Sequence, residues 1–183
     1  MAATSDPLQR GLSAPDFDLP GTDGRRWAYA DAAGPDGLVV AFICNHCPYV
    51  QAVVDRIVRE ARALREAGVG FVAISSNDAA AYPEDSFDRM QAFAERHGFD
   101  FPYLHDESQA VARAYGAVCT PDFFGFDRER RLQYRGRLDA SGRQPAAPDT
   151  RRELYEAMRQ VARTGTGPDE QQPSIGCSIK WKE

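Results

Sequence analysis

The run Leu38-Val39-Val40-Ala41-Phe42-Ile43, followed at once by Cys44-Asn45-His46-Cys47 and Pro48, restricts the fold more than any other stretch. An unbroken apolar segment of this length is too short for a buried helix. It also lacks the alternation of a half-exposed strand, so it reads as a strand covered on both faces. Over residues 49–67 the periodicity changes: Val50, Val53, Val54, Ile57, Val58, Ala61 and Leu64 recur at helical spacing, and Gly68 supplies a stop. A strand buried on both sides needs a layer on each side, and helices are what the rest of the chain offers.

The same alternation continues along the chain. Residues 11–37 are rich in Gly, Pro and Asp, the composition of turns and a short β-hairpin placed before the first buried strand. Val69–Ser75 reads as a second apolar strand. A helix then starts near Asp85 or Ser86, either of which can cap it, passes through Met90, Phe93 and Ala94, and ends at Gly98. Residues 101–104 suggest a brief strand and residues 108–115 a short helix stopped by Gly116, while 123–126 and 132–134 flank a charged turn as an antiparallel hairpin. Asp149 or Thr150 caps a last helix with Leu154, Ala157, Met158 and Val161 on one face, ended by Gly165 and Gly167. The expected fold class is α/β, a three-layer α/β/α sandwich with an N-terminal β-hairpin extension. Residues 1–10 are expected to be a flexible N-terminus, 11–165 one domain, and 166–183 a mobile tail carrying Cys177, with Ile175, Ile179 and Trp181 available to pin it.

At 183 residues such a domain buries roughly two thirds of its unfolded surface and needs no disulfide staples. A net charge of −5 with arginines dispersed along the chain argues against nucleic acid as a partner. No apolar run approaches the ~20 residues that cross a bilayer, and no basic segment followed by a long apolar one opens the chain. A soluble cytoplasmic protein without membrane partners is expected. In a reducing compartment Cys44, Cys47, Cys119 and Cys177 read as catalytic, metal-binding or buried, not permanently bridged.

A disulfide between Cys44 and Cys47 closes so small a ring that chain entropy contributes only about 2 kcal/mol, which suits a pair that cycles between oxidised and reduced states. Pro48 prefers the first helical position, which makes Cys47 the N-cap and leaves Cys44 in the preceding loop, both near unpaired N–H groups. The helix dipole supplies at most ~2 kcal/mol, about 1.5 pKa units, so His46 is expected to add to the stabilisation of a Cys44 thiolate. The thiolate is the form that attacks disulfides and peroxides. A solvent-reachable dithiol follows, in which Cys44 attacks and Cys47 resolves. His97 and His105 read as surface residues. Two alternatives stay open: a thiol peroxidase using Cys47 or Cys44, and a metal-binding or redox-sensor protein holding zinc or copper through Cys44, Cys47 and Cys119. The leading reading calls for no cofactor.

Ala14-Pro15-Asp16-Phe17, Leu19-Pro20, Asp23-Gly24, the strand entering the cysteine pair, Ala114-Tyr115-Gly116, Thr120-Pro121 and Phe124-Gly125-Phe126-Asp127 resemble, in order and spacing, the peroxiredoxin-like (AhpC/TSA-type) branch of the thioredoxin superfamily. The ending Pro173-Ser174-Ile175-Gly176-Cys177-Ser178-Ile179-Lys180-Trp181-Lys182 is similar to that of CxxC-containing members. The resemblance implies a thioredoxin-like fold, a disulfide or thiol substrate, protein or small molecule, and an external thiol reductant. It also implies a cis Pro121 facing the dithiol, with Thr120 offering backbone groups to an incoming thiol or peptide. Cys119 then lies beside the dithiol as a third redox thiol or a small buried residue, and Cys177 is either an extra resolving thiol or a pinned one. His46 resembles the histidine that precedes the second cysteine of DsbA-type oxidases. Peroxiredoxins proper carry Thr or Ser three residues before the peroxidatic cysteine and a proline further upstream. Relative to Cys47, Cys44 and Val40 hold those places here, and the arginine that enters the late strand is replaced around Thr120-Pro121. These losses favour a thiol–disulfide oxidoreductase over a dedicated peroxidase.

Overall fold

A computed structural model places all residues, 1–183. The chain begins with a short strand, β1 (Ala2–Thr4), then the expected hairpin of β2 (Asp18–Pro20) and β3 (Arg26–Ala28), and one helical turn, α1 (Tyr29–Ala32). The apolar run forms β4 (Gly37–Phe42), buried throughout. Its side chains alternate between two cores: Val39 and Ala41 join one cluster, whereas Leu38, Val40 and Phe42 join the other. This division of one strand between two cores is the physical content of the three-layer arrangement.

After the cysteine pair come α2 (Pro48–Gln51), α3 (Val54–Glu66) and β5 (Val69–Ser75). The single helix expected over residues 49–67 is interrupted because Val53 leaves helical geometry (φ −119°, ψ −1°), which lets the adjacent Val53 and Val54 both enter the core. A 3₁₀ turn, Pro83–Asp85, leads into α4 (Phe87–Arg96), followed by β6 (Tyr103–His105), α5 (Ala110–Tyr115), β7 (Cys119–Thr120), β8 (Asp122–Asp127) and β9 (Leu132–Gly136). Ser86 caps α4 by accepting from the Arg89 N–H at 3.4 Å. Ser86→Ala is expected to cost about 1 kcal/mol in chemical denaturation, as loss of a single N-cap does. The last elements are α6 (Glu153–Thr164) and β10 (Ile175–Ser178). Neither Asp149 nor Thr150 caps α6. Arg152 holds the N-cap position, and its Nε donates to buried Glu60 of α3 at 2.9 Å.

The central sheet runs β6-β5-β4-β8-β9, with β5 parallel to β6 and β4, β8 and β9 successively antiparallel. The Ile43 N–H donates to the Ile74 carbonyl at 3.0 Å where β4 passes β5. Residues of α3, α4 and α6 fill one face; the other is covered by α5 and the residues around the N-terminal hairpin. No helix is long and apolar enough to cross a membrane.

The flexible N-terminus and mobile tail expected from composition are corrected. β10 pairs on one side with β1 and on the other with β7, Cys177 lying opposite Ala2 and Thr120. Beyond it, Lys180 N–H donates to Asn77 Oδ1 and Lys182 N–H to Gln109 Oε1, each at 2.9 Å. A polar, proline-rich segment is ordered because its backbone groups find partners supplied by distant parts of the chain.

Candidate active site

Cys47 is the N-cap of α2 with Pro48 at the first helical position, and Cys44 lies in the loop after β4. The cis Thr120–Pro121 peptide lies beside both sulfurs. Cys44 Sγ is 3.5 Å from Thr120 Oγ1, and Cys47 Sγ is 3.3 Å from the Thr120 carbonyl oxygen. The expected solvent-reachable mouth is corrected, because Cys44 is 1% and Cys47 0% exposed. β10 closes over Cys47, with Gly176 so close to Thr120 that a Cβ would collide with its carbonyl. Asp85, at the end of the 82–85 turn, brings a carboxylate oxygen within 4.8 Å of the Cys44 sulfur. Both sulfurs belong to the larger hydrophobic core; beside them, the His46 side chain is 29% exposed and Cys177 is half-buried.

Asp85, which sequence reasoning assigned only to helix capping, organises this loop. It is fully buried and accepts from the N–H groups of Asn45 (2.8 Å) and His46 (3.3 Å) and from Asn77 Nδ2 (2.7 Å). His46 Nδ1 stands 2.6 Å from Asp85 Oδ2, close but poorly aligned for a straight hydrogen bond. The ring lies parallel to that of Tyr82 at 5.9 Å. Asn45 is fixed on every side: the Tyr103 hydroxyl donates to its Oδ1 at 2.7 Å, its Nδ2 donates to the Glu84 carbonyl, and Gln51 Nε2 donates to its carbonyl. One sequence signal pointed this way. Asp85 and Ser86 are both capping types in succession, and a helix start needs only one.

The two thiols are held unequally. Cys47 is pushed down to about 5, first because the Cys44 thiol donates to its thiolate, then because Cys177 does so through side chain and N–H, against a burial penalty. The Thr120 carbonyl opposes ionisation, since only the thiol can donate to it, but one acceptor is outweighed by these donors. Cys44 is held well above the ordinary thiol range, first by its hydrogen bond to Cys47, then by burial and by the Asp85 carboxylate. His46, expected to stabilise a Cys44 thiolate, is not among the groups that set the Cys44 thiol; its Nδ1 stands beside the Asp85 carboxylate.

Cys119 is buried in β7, and burial raises its thiol far above the ordinary range. Cys177, raised to about 11 chiefly by burial, sits against Cys47 on a paired strand. The proposed metal set of Cys44, Cys47 and Cys119 does not converge. The donors that do, within 4.8 Å of one another, are those of Cys44, His46 and Asp85. Zinc ligands at ~2.0–2.3 Å from the ion stand over 3 Å apart in a tetrahedron, so the 2.6 Å His46–Asp85 contact leaves no room between them without rearrangement. His97 and His105 are half-buried and not merely surface residues, His97 against Phe93 and His105 against Phe87.

The AhpC/TSA family model matches residues 11–135. The chain belongs to the AhpC/TSA family. Peroxiredoxin Bcp of Escherichia coli K12 is 27% identical over 140 residues, covering 75% of this chain and 83% of that protein. An uncharacterized conserved protein from Geobacillus kaustophilus is 46% identical, with a TM-score of 0.93 over 100% of this chain and 97% of that one. The thioredoxin domain of a Bacteroides vulgatus thiol-disulfide oxidoreductase, 15% identical, superposes with a TM-score of 0.63 over 85% of this chain and 99% of that one, a likeness of fold. The chain thus combines membership of the AhpC/TSA family with a thioredoxin-like fold.

Proposed function

We propose that the protein is a thiol–disulfide oxidoreductase working through the Cys44–Cys47 dithiol, with Cys47 as the attacking sulfur and Cys44 as the resolving one. The observation that carries this reading is the placement of the pair: Cys47 is the N-cap of α2, against unpaired N–H groups, whereas the Cys44 sulfur lies within 4.8 Å of a carboxylate oxygen of buried Asp85. That placement favours the thiolate at Cys47 and the thiol at Cys44. The order is the reverse of the one expected from the sequence, where Cys44 attacked.

The Cys47 thiolate attacks one sulfur of the substrate disulfide; that S–S bond breaks and one substrate thiolate leaves. Cys44 then loses its proton toward the His46–Asp85 pair, whose N and O atoms lie within 4.8 Å of its sulfur, and attacks the Cys47 sulfur. The second substrate thiolate departs, two electrons have passed to the substrate, and an external thiol returns them. Because both sulfurs are covered, substrate entry requires β10 or the 82–85 turn to move.

The alternative, a thiol peroxidase, is favoured by the relationship to peroxiredoxin Bcp and by a depressed thiolate at Cys47. Against it, no arginine hydrogen-bonds either sulfur; Arg135, the buried guanidinium on β9, is engaged by Asp122 and the Gly116 carbonyl. Reduced protein treated with 2-hydroxyethyl disulfide is expected to release both substrate halves as thiol and to show a Cys44–Cys47 bond on peptide mapping. Hydrogen peroxide should oxidise it no faster than an unactivated free thiolate, the rates being compared per ionised sulfur. Rapid peroxide consumption with no disulfide exchange would transfer the assignment to the peroxidase.

A further inference from the structure

The chain is acidic overall, and its guanidinium groups are for the most part occupied. Arg10, Arg56, Arg135 and Arg137 pair with carboxylates, and Arg25, Arg113 and Arg143 lie over aromatic rings. Arg89, Arg96 and Arg163 are the exceptions, with no carboxylate, hydrogen-bond or aromatic partner for the side chain. Two of these three stand together. Arg89 and Arg96 are two turns apart on α4, and with His97 they line a cleft of about 840 Å³ that is also lined by Asn45, His46 and Gln51. Glu84 is the one carboxylate in that lining, and most of the remainder is polar.

Unpaired arginines on a helix are ordinarily just solvated. What separates these two is that they share a cleft with the loop between the redox cysteines, in a protein whose net charge of −5 would otherwise repel an anion. The cleft is within the size range of small-molecule sites. We propose that it is an anion subsite, taking the carboxylate end of a small disulfide or thiol substrate and setting the sulfur-bearing end against His46. The proposal rests on the oxidoreductase reading for what the bound molecule does, but not for the fact that it binds. Carboxylates on Arg89 and Arg96 form charge-assisted, planar contacts, which a neutral disulfide of the same length does not make.

Three disulfides of similar size test this: 3,3′-dithiodipropionate with two carboxylates, neutral 2-hydroxyethyl disulfide, and cystamine with two ammonium groups. Rates of oxidation of the reduced protein, each divided by the rate with free mercaptoethanol, should fall in the order anion, neutral, cation, and added salt should compress the series. In the Arg89→Gln/Arg96→Gln protein the anion-to-neutral ratio should fall about tenfold, as expected for two exposed ion pairs together, with the neutral rate unchanged. Arg163→Gln, which removes the same charge away from the cleft, should leave the ratio alone. Calorimetric titration with unreactive 3,3′-thiodipropionate should show binding that the double variant loses and Arg163→Gln keeps. If no disulfide reacts while thiodipropionate binds in this pattern, the oxidoreductase reading fails and the anion subsite stands. An unchanged ratio and unchanged binding in the double variant, or an equal loss in Arg163→Gln, overturns the proposal.

Discussion

In a Cys44→Ser/Cys177→Ser protein, 2-hydroxyethyl disulfide is expected to leave a stable mixed disulfide on Cys47, whereas Cys47→Ser accumulates little adduct. Cys177→Ser is included because that thiol touches Cys47 and would displace the adduct. The larger effect lies in the pH profile. In the unsubstituted protein, where Cys44 and Cys177 help to hold Cys47 down to about 5, its attack should be nearly independent of pH between about 6 and 8 and fall about tenfold per unit only below its pKa. In Cys47→Ser, burial and the Asp85 carboxylate still hold Cys44 up, so the residual rate should climb about tenfold per unit through the same range. The two profiles thus diverge by about a hundredfold across two pH units. Absolute speed is a weaker test, because a Brønsted slope of ~0.4–0.5 makes a weakly basic thiolate less nucleophilic and offsets much of its gain in population. Quenched-flow alkylation with mass spectrometry measures both profiles. A flat profile in Cys47→Ser and a steep one in the protein that retains Cys47 would return the attacking role to Cys44.

Asp85→Ala is expected to destabilise the fold by about 3 kcal/mol. It removes a fully buried acceptor from the N–H groups of Asn45 and His46 and from Asn77 Nδ2, and each bond to a charged group contributes ~1.5–3 kcal/mol before water replaces part of it. For a chain of this size that lowers Tm by roughly 6–12 °C, measurable by calorimetry. Asp85→Asn separates charge from shape. A negative charge beside a thiol disfavours the thiolate, so its removal must lower the upper of the two thiol titration steps, followed by thiolate absorbance against pH. An upper step that stays in place would show that Asp85 shapes the loop without acting on Cys44.

Much of the architecture was legible in the sequence because its causes are local. The uninterrupted apolar run is β4, the change to helical spacing is α2 and α3, and Gly116 ends α5 in a left-handed conformation. The cysteine pair at a strand-to-helix junction needed only Pro48 to set Cys47 at the cap. Where the reading failed, a distant group had intervened. Arg152 displaced Asp149 and Thr150 at the start of α6 because Glu60 of α3 was there to hold it. Ile175 is 54% exposed and a poor anchor, yet the tail is fixed, since β1, β7, Asn77 and Gln109 take up its backbone.

The amino-acid order by itself determined the layers, the position of the dithiol and its small, easily exchanged ring, because periodicity and ring size act over a few neighbouring residues. Only the tertiary structure decided which groups stand against each sulfur, and that both are covered. Those properties depend on Asp85, Thr120 and Cys177, brought to the cysteine pair from dozens of residues away, and a charge in a buried site answers to distance in space and not along the chain.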